Sequence, residues 1–422
     1  MELCKPIDCT GCKACANACA KSAITFLADD EGFWYPKIDN SLCVKCGSCR
    51  AACPQLQGKH ANHANEQQKV YAAWIKNKQL RRQSTSGGAF TVLADGVLKN
   101  KGAVYGAGFD KDHRVIHKRI CTKRELAQLR GSKYVQSDIG DTFQQVKRDL
   151  KAGKTVLFTG SPCQIDGLYA LLKSRYEGQL YTVDLVCHGV PSPMIYEDYR
   201  RYMEKTYQSK ISEIYFRDKT PGWSVFGMKI VFENGEVYQK DTYNDPYIRG
   251  FLRELFLRAS CHRCRYADTD RVADITLADF WGYKAENKKG FDDDKGISLV
   301  MINNANGSQL FKSVSSRLYC MEKSLAEAVA GNRMLREPFP PAENRDRFWA
   351  DYPRLSFEEL AEKYMFPEEM PYWYIHKRQL IEEHRAGFVD KKVKPCAISA
   401  AQKVLGKKIY GKIKSIKDEK DA

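Results

Sequence analysis

The strongest constraint on this chain is a cysteine spacing that occurs twice near its start. The spacing C-x2-C-x2-C-x3-C is formed by Cys9, Cys12, Cys15 and Cys19, and again by Cys43, Cys46, Cys49 and Cys53. Where two such runs occur together, the fourth cysteine of each run ligates the other cluster. The pattern therefore predicts two 4Fe-4S clusters: cluster one on Cys9, Cys12, Cys15 and Cys53, and cluster two on Cys43, Cys46, Cys49 and Cys19.

The pairing of the runs has a physical cause. Three thiolates on a tight loop wrap three corners of a cubane cluster, and the fourth corner needs a distant cysteine. Residues 1–58 are thus expected to form a ferredoxin-like domain whose folding energy comes largely from its clusters. Zinc and a disulfide framework are the alternatives, but two matched runs of four cysteines fit cubanes better. One departure is Ala20, which stands where Pro54 follows the second run.

Charge and cysteine usage narrow the class of protein. The formal net charge is +16, which suits nucleic acid, anionic lipid or an acidic protein as partner. The sequence contains no helix-turn-helix or aromatic RNA-binding motif, so we expect an acidic ferredoxin or flavodoxin-like carrier, or an ordinary solvated surface, and no nucleic acid. Iron–sulfur thiolates need a reducing compartment, and no signal peptide or apolar stretch of about 18 residues occurs, so a cytoplasmic location is expected.

The rest of the chain divides into three stretches that differ in composition and hydrophobic pattern. Residues 59–69 are polar and predict a linker with exposed His60 and His63. Residues 70–325 alternate short strands with helices, which predicts an α/β domain with a parallel or mixed sheet and gives the whole chain an α+β / α/β class. Residues 326–422 predict a helical, basic extension. Its Lys-rich end, residues 391–422, could lie on a membrane surface, on an acidic partner or on its own domain.

Four later cysteines occupy unusual positions. Cys163 and Cys187 each follow a predicted strand, and Cys261 and Cys264 form a CxxC pair. An open α/β sheet builds its sites at the carboxyl ends of its strands, so a CxxC loop over that edge would complete four thiolates. The spacing leaves three interpretations open: a third 4Fe-4S cluster, a zinc ion, or unliganded buried thiols.

Two turns can present backbone N–H groups to a phosphate. They consist of Thr85, Ser86, Gly87 and Gly88, and of Thr159, Gly160, Ser161 and Pro162. Each precedes a predicted helix, whose first N–H groups attract anions. A capped helix start with no ligand explains each turn equally well.

These motifs occur in a recognisable order. Thr85–Gly88, Gly131–Ser137, Thr159–Gln164, Asp184–Ser192 and Ala278–Gly282 follow one another along the chain. Together they resemble the coenzyme F-420 hydrogenase/dehydrogenase beta-subunit family, which includes a formate dehydrogenase subunit and plant 7-hydroxymethyl chlorophyll a reductase. The resemblance covers about residues 1–325, including the fused ferredoxin-like domain, and the C-terminal hundred residues match no motif.

The resemblance implies an FAD-containing iron–sulfur oxidoreductase. It implies a third 4Fe-4S cluster on Cys163, Cys187, Cys261 and Cys264, and flavin contacts from both turns. Lys133 and Tyr134 would then lie at the flavin edge, where Lys133 could stabilise a reduced flavin or a substrate anion. His188 is either a proton donor or a structural histidine.

The expected function is a reductase that passes electrons from a ferredoxin-like carrier through 4Fe-4S clusters and FAD to an unidentified small-molecule substrate. If electrons flow in the opposite direction, the same cofactors would oxidise a reduced deazaflavin of the coenzyme F-420 type. The alternatives are an electron-transfer subunit with no substrate chemistry of its own and, more weakly, a redox sensor. Either a monomer or an oligomer is compatible with the sequence.

Overall fold

The computed structural model describes residues 3–62, 68–220, 222–283 and 294–366. These residues belong to one compact unit, which spans residues 1–366. The predictions for His63 and for the Lys-rich end at 391–422 lie outside the described residues. In the part of the chain that is described, no helix has the length and apolar composition needed to cross a membrane.

The strands are numbered β1 to β13 along the described chain. They are β1 Ile24–Ala28, β2 Trp34–Ile38, β3 Lys69–Ile75, β4 Ala103–Phe109, β5 Val115–Ile120, β6 Val156–Thr159, β7 Leu180–Leu185, β8 Ile211–Asp218, β9 Gly227–Phe232, β10 Val237–Asp241, β11 Ile275–Asp279, β12 Ser298–Ile302 and β13 Leu318–Lys323. Strands β3 to β7 lie in the first part of the stretch for which the sequence predicts alternating strands and helices.

The α-helices are numbered in the same way. They are α1 Ala14–Asn17, α2 Ser48–Ala51, α3 Pro54–Gln57, α4 Lys78–Arg82, α5 Ala89–Lys99, α6 Thr142–Lys151, α7 Pro162–Leu172, α8 Pro193–Thr206, α9 Pro246–Leu252, α10 Ala305–Val314, α11 Leu325–Gly331, α12 Arg345–Asp351 and α13 Phe357–Leu360. Short 3-10 turns lie at Pro6–Asp8, Glu125–Gln128, Ala259–Arg263, Ser315–Arg317 and Arg333–Leu335, and a π turn at Ala361–Met365.

The centre of the unit is a mixed eight-stranded sheet in the order β13-β3-β12-β11-β7-β6-β4-β5. Strands β4, β6, β7 and β11 run parallel to their neighbours in that series, and the outer strands pair antiparallel. Successive residues of β6 face opposite sides, because side chains alternate along a strand. Leu157 packs with α5 and α10, whereas Phe158 packs with α6 and α7. The mixed α/β class expected from the sequence is therefore observed.

A second sheet was not predicted. Strands β8, β9 and β10 form a three-stranded antiparallel sheet in which Ile214, Met228 and Ile230 are buried. These side chains pack against α8 and α9 in a separate core. Their strands contain exposed charged residues and bulges, which hide the alternating pattern on which a prediction depends.

The described end of the predicted linker is held in place by side-chain contacts. The His60 ring lies 2.5 Å from Asp166 on α7, and the Asn62 side chain donates to the Ala273 carbonyl at 2.7 Å. Lys59 pairs with Asp268 at 2.7 Å. The His60 side chain is 38% exposed, but it is not a free linker histidine, because a buried carboxylate on α7 holds its ring and backbone N–H.

The residues after β13 pack on the same unit. Phe348 of α12 and Leu360 of α13 are buried in the core that also contains Phe256. Arg345 of α12 reaches the turn between β1 and β2 and forms a two-point ion pair with Glu31. The Arg345 side chain is 10% exposed and that of Glu31 is 25% exposed, so water screens the pair little. This pair ties the ferredoxin-like part to the C-terminal helices.

Replacing Arg345 with Ala should therefore lower the free energy of unfolding by about 2–3 kcal/mol, since it leaves the largely buried Glu31 carboxylate unpaired. The measurement is anaerobic urea denaturation, followed by circular dichroism and by iron–sulfur absorbance. Arg148→Ala is the matched control, because the Arg148–Asp141 pair is 65% and 67% exposed and should contribute less than about 0.5 kcal/mol. Equal losses in the free energy of unfolding for the two variants would contradict the conclusion that the Arg345–Glu31 pair holds the ferredoxin-like part to the C-terminal helices.

Candidate functional site

The two cysteine loops share one backbone conformation. Gly11 and Lys13 in the first loop have positive φ values of 68° and 59°, and Lys45 and Gly47 repeat them in the second at 54° and 78°. Each left-handed pair turns the chain so that three cysteines surround one volume. Gly11 is required for space as well, because a Cβ there would lie 2.2 Å from the Gln136 side chain.

The structure brings together the four thiols predicted for cluster one. Cys9, Cys12, Cys15 and Cys53 line a single cavity, which is the grouping that a fourth ligand from the second run requires. Burial, with the like charges of neighbouring thiols, raises the pKa of Cys15 to about 12. Thiols packed this closely are stable as thiolates only beside a cation, which is the chemistry that an iron cluster supplies.

Sequence reasoning missed a fifth cysteine at this cavity. Cys4 lines it and hydrogen-bonds to Cys9 and Cys53. Hydrogen bonds from Cys4 lower the pKa of Cys9 to about 6 and that of Cys53 to about 7. Its place five residues before the first run carries no spacing signal, so only the fold reveals it.

The thiols predicted for cluster two lie nearer to solvent. Cys49 is buried and interacts electrostatically with Cys19 and Cys43, whereas Cys46 is exposed. A hydrogen bond from Ser48 lowers the pKa of Cys46. Val44, two residues before Cys46, is 61% exposed. Cluster two thus lies where another protein can reach it.

The four later cysteines also converge. Cys163 is the second residue of α7, shortly after β6, and Cys187 follows β7, whereas Cys261 lies in the turn after α9 and Cys264 directly follows that turn. All four line one cavity. Burial and the neighbouring thiols raise the pKa of Cys261 to about 12 and that of Cys163 to about 11.

The two cavities adjoin each other. Cys12 and Cys163 interact electrostatically, and Thr10 of the first loop lines the cavity of the later cysteines. Gly167 of α7 lies against the first loop, since a Cβ there would be 3.0 Å from the Cys12 sulfur. This contact gives the spatial order of the predicted centres, which the sequence does not reveal. Cluster two lies nearest to solvent, cluster one comes next, and the later cysteines follow.

The turn at Thr159–Pro162 contacts one of the later cysteines. The Ser161 hydroxyl lies 3.1 Å from the Cys163 sulfur, and Ser161 forms a capping box with Gln164 at the start of α7. The Thr159 hydroxyl donates to the Tyr105 carbonyl at 2.9 Å. Side chains of this turn that were predicted to contact a flavin are therefore engaged with the thiol site and the sheet.

The turn at Thr85–Gly88 meets a second motif. The Ser132 backbone N–H donates to the Thr85 hydroxyl at 2.9 Å, and the Ser86 hydroxyl donates to the Ile297 carbonyl at 2.8 Å. A Cβ on Gly87 would lie 2.3 Å from the Ala73 carbonyl oxygen, so this glycine is needed for packing on β3. Gly88, with φ +91°, begins α5.

Lys133 and Tyr134 lie on the loop that Thr85 contacts. The Lys133 ammonium donates to the carbonyls of Gln128 and Arg130 at 3.2 and 2.8 Å. Burial, with a smaller contribution from Lys118, lowers the pKa of Lys133 to about 7. This region also lies near the other predicted flavin turn. Leu129, four residues before Lys133, and Thr159 of that turn both lie beside Gly106.

A buried ion pair beside Tyr134 was also missed. Arg217 of β8 lies 2.5 Å from Asp279 at the end of β11, and the Trp223 indole donates to the same carboxylate at 2.6 Å. Among the described residues, the Nε and Nη2 atoms of Arg217 have no hydrogen-bond partner. Asp279 belonged to a recognised motif, but Arg217 comes from the sheet that the sequence did not predict.

His188 stands in a row of stacked rings. Its ring lies 4.1 Å from Phe339 and 4.8 Å from Phe251, and Phe251 lies 4.7 Å from Tyr134. Its Nε2 atom is 3.1 Å from Glu254. Since His188 follows Cys187, the row leads from the later cysteines towards Tyr134.

Comparison with known proteins gives matches in more than one part of the chain. Residues 153–328 match a family described as the C-terminal part of the beta subunit of coenzyme F420 hydrogenase/dehydrogenase. Residues 8–56 and 35–84 match 4Fe-4S dicluster domains. A solved structure of the F420-reducing NiFe hydrogenase complex from Methanosarcina barkeri aligns with 70% of this chain and 91% of its own, at 19% identity and a TM-score of 0.40.

Curated relatives match only the start of the chain. They are the ferredoxin-type proteins NapF of Escherichia coli strains K12, O6:H1 and O157:H7, each 32% identical over 53 residues, which are 13% of this chain. The matched stretch spans about a third of the length of these relatives, 32%. The chain therefore carries a 4Fe-4S dicluster domain near its start and, at residues 153–328, a segment similar to the C-terminal part of the coenzyme F420 hydrogenase/dehydrogenase beta subunit.

Proposed function

We propose that this protein is an iron–sulfur flavoprotein oxidoreductase. It would move electrons between an external carrier, the two N-terminal clusters, a third 4Fe-4S cluster and FAD, and from there to or from a small molecule. The observation that carries the proposal is the second thiol cavity directly beside cluster one. An electron delivered to cluster one has a short path to that cavity and to the recognised motifs around it.

The shape of the second cavity supports a cubane over zinc. A zinc ion draws four sulfurs to about 2.3 Å from one point, whereas a cubane binds each sulfur at a separate iron. The four thiols surround one cavity, and each is half-buried rather than fully enclosed. This cavity lies beside the one that the cluster-one cysteines line, which supports the same kind of centre in both.

The residues around Thr85 fit a flavin better than those around Thr159. The turn at Thr85–Gly88 precedes α5, whose first backbone N–H groups can bind a phosphate. The buried Arg217 side chain has unpartnered N–H groups, which suit an anionic ring or substrate. FAD bound here would convert single electrons into pairs for two-electron chemistry. The proton-donor role of His188 stays a prediction.

The surroundings of cluster two support an external carrier. Leu42 and Val44 are 51% and 61% exposed, and Lys45 and Arg50 beside them are also exposed. An apolar centre with flanking cations suits an acidic partner that docks transiently. The opposite direction of flow, from a reduced deazaflavin to the carrier, uses the same parts and is favoured by the family match at residues 153–328.

Anaerobic reconstitution tests the proposal. About 12 iron atoms per chain, four for each cluster, should accompany about one flavin. The loaded protein should then be reduced by ferredoxin or by a reduced deazaflavin, and the faster donor identifies the direction of flow. About eight iron atoms and no flavin would leave only the rival function, an electron-transfer subunit that does no substrate chemistry.

Cys187→Ser or Cys264→Ser should remove the third cluster alone. Iron is expected to fall from about 12 to about 8 atoms per chain, with the signals of the N-terminal clusters unchanged, because each substitution deletes one of four ligands. Cys320→Ser is the control, since this cysteine is exposed on β13 outside both cavities. Iron analysis and low-temperature EPR give the readout, and unchanged iron in both ligand variants would contradict the third cluster.

The rate of flavin reduction should depend on the charge of Lys133. With a pKa of about 7, its ammonium is present at low pH, so the rate should fall as the pH rises through about 7. Lys133→Arg stays charged and should flatten this profile, whereas Lys133→Met should slow the reaction about tenfold at pH 6. Stopped-flow measurements from pH 6 to 9 test this, and identical profiles for all three proteins would exclude the role.

A further inference from the structure

Arg258 is the largest side chain that the described fold buries completely, with 0% of its surface exposed. Its guanidinium donates to the Cys9 carbonyl at 2.7 Å, the Gln136 side-chain oxygen at 3.0 Å and the Trp34 carbonyl at 3.2 Å. It also lies 4.2 Å from the centre of the Tyr35 ring. All of these partners are electrically neutral.

A buried cation without a counter-charge is unfavourable, because the interior solvates it far less well than water does. The other fully buried arginine of this region obeys the rule: Arg271, 1% exposed, pairs with Asp184 at 3.1 Å. Within the described residues, no carboxylate pairs with Arg258 at such a distance. The negative charge that balances Arg258 must therefore come from another kind of group.

Arg258 contacts cysteines predicted for both clusters. Its guanidinium donates to the carbonyl of Cys9, a predicted ligand of cluster one, at 2.7 Å. It also lies against the first loop, since a Cβ on Gly11 would be 3.1 Å from its Nη1 atom. In addition, the N–H of Cys261, a predicted ligand of the third cluster, donates to the Arg258 carbonyl at 2.8 Å.

We infer that Arg258 is the shared counter-charge of cluster one and of the third cluster. A 4Fe-4S cluster with four thiolates is an anion, and it becomes more negative when it accepts an electron. A buried cation between two such clusters stabilises the reduced form of each and so raises both reduction potentials together. The part concerning the third cluster rests on the proposed function.

The side chain must be arginine to do this. Its planar fork reaches three acceptors that belong to the first loop, the β1–β2 hairpin and the loop at Gln136. A lysine would keep the charge but could not span them. Arg258 is thus a positioning and potential-setting residue, and it touches no substrate.

Two substitutions test the charge in different ways. Arg258→Gln removes it, and Gln136→Glu places a carboxylate beside the intact arginine and neutralises it. Each should shift the reduction equilibria of cluster one and of the third cluster at least tenfold towards the oxidised form, which is ~59 mV for one electron. Arg258→Lys should shift them less. Anaerobic redox titration with EPR detection measures each potential.

Two controls separate this effect from general damage. Cluster two, with its exposed Cys46, is the internal reference because water screens it from distant charges. Arg148→Gln removes a charge on α6 whose side chain is 65% exposed and lines neither cavity, so its loss should change the equilibria less than twofold. Gln136→Glu keeps the test valid if Arg258→Gln fails to fold.

The outcomes are distinguishable. If Arg258→Gln and Gln136→Glu leave cluster one within twofold of the wild type, the inference is wrong. It is also wrong if Arg258→Lys shifts the equilibria as far as Arg258→Gln, because the hydrogen bonds would then matter and the charge would not. About eight iron atoms in the wild type would overturn the third cluster and the sharing, whatever the behaviour of cluster one.

Discussion

The contact between the first cysteine loop and α7 is the constraint on which the arrangement depends. Cys12 lies against Gly167, and Cys163 is the second residue of the same helix. One helix therefore supports both thiol cavities, and a Cβ at position 167 would make a tight contact of 3.0 Å with the Cys12 sulfur. Because electron transfer depends steeply on separation, this close packing supports the proposed path between the two parts of the chain.

The sheet explains why the second cavity exists at all. Strands β6 and β7 are adjacent and parallel, so the residues that follow them emerge at one edge. Cys163 and Cys187 occupy those positions, and the turn at Ala259–Arg263, with Cys264 directly after it, adds the remaining pair. Polar groups also lie at this edge: the Ser161 hydroxyl is 3.1 Å from the Cys163 sulfur, and the fully buried Arg258 donates to the Cys9 carbonyl at 2.7 Å. The predicted metal ligands and the buried charge are therefore grouped where the parallel strands end.

Much of this could be predicted from local patterns, because those patterns arise from local physics. The cysteine spacing follows from the corners of a cubane, and the strands between residues 70 and 186 follow from apolar runs between turns. The β8–β10 sheet was missed because its bulged, charged strands mask their alternation. Cys4, Arg217 and Arg258 were missed for another reason: none has a spacing signal, and each acquires meaning only from residues far away along the chain.

By itself, the sequence determined that the chain carries a 4Fe-4S dicluster domain and that a mixed α/β domain follows, and it predicted how the cysteines are grouped. These properties depend on residue type and short spacing. Only the tertiary structure decided the order of the centres, the burial of Arg258 without a carboxylate, and the docking of His60 on Asp166. Such properties depend on contacts between segments more than 100 residues apart, such as His60 and Asp166 at a separation of 106, and no local pattern encodes them.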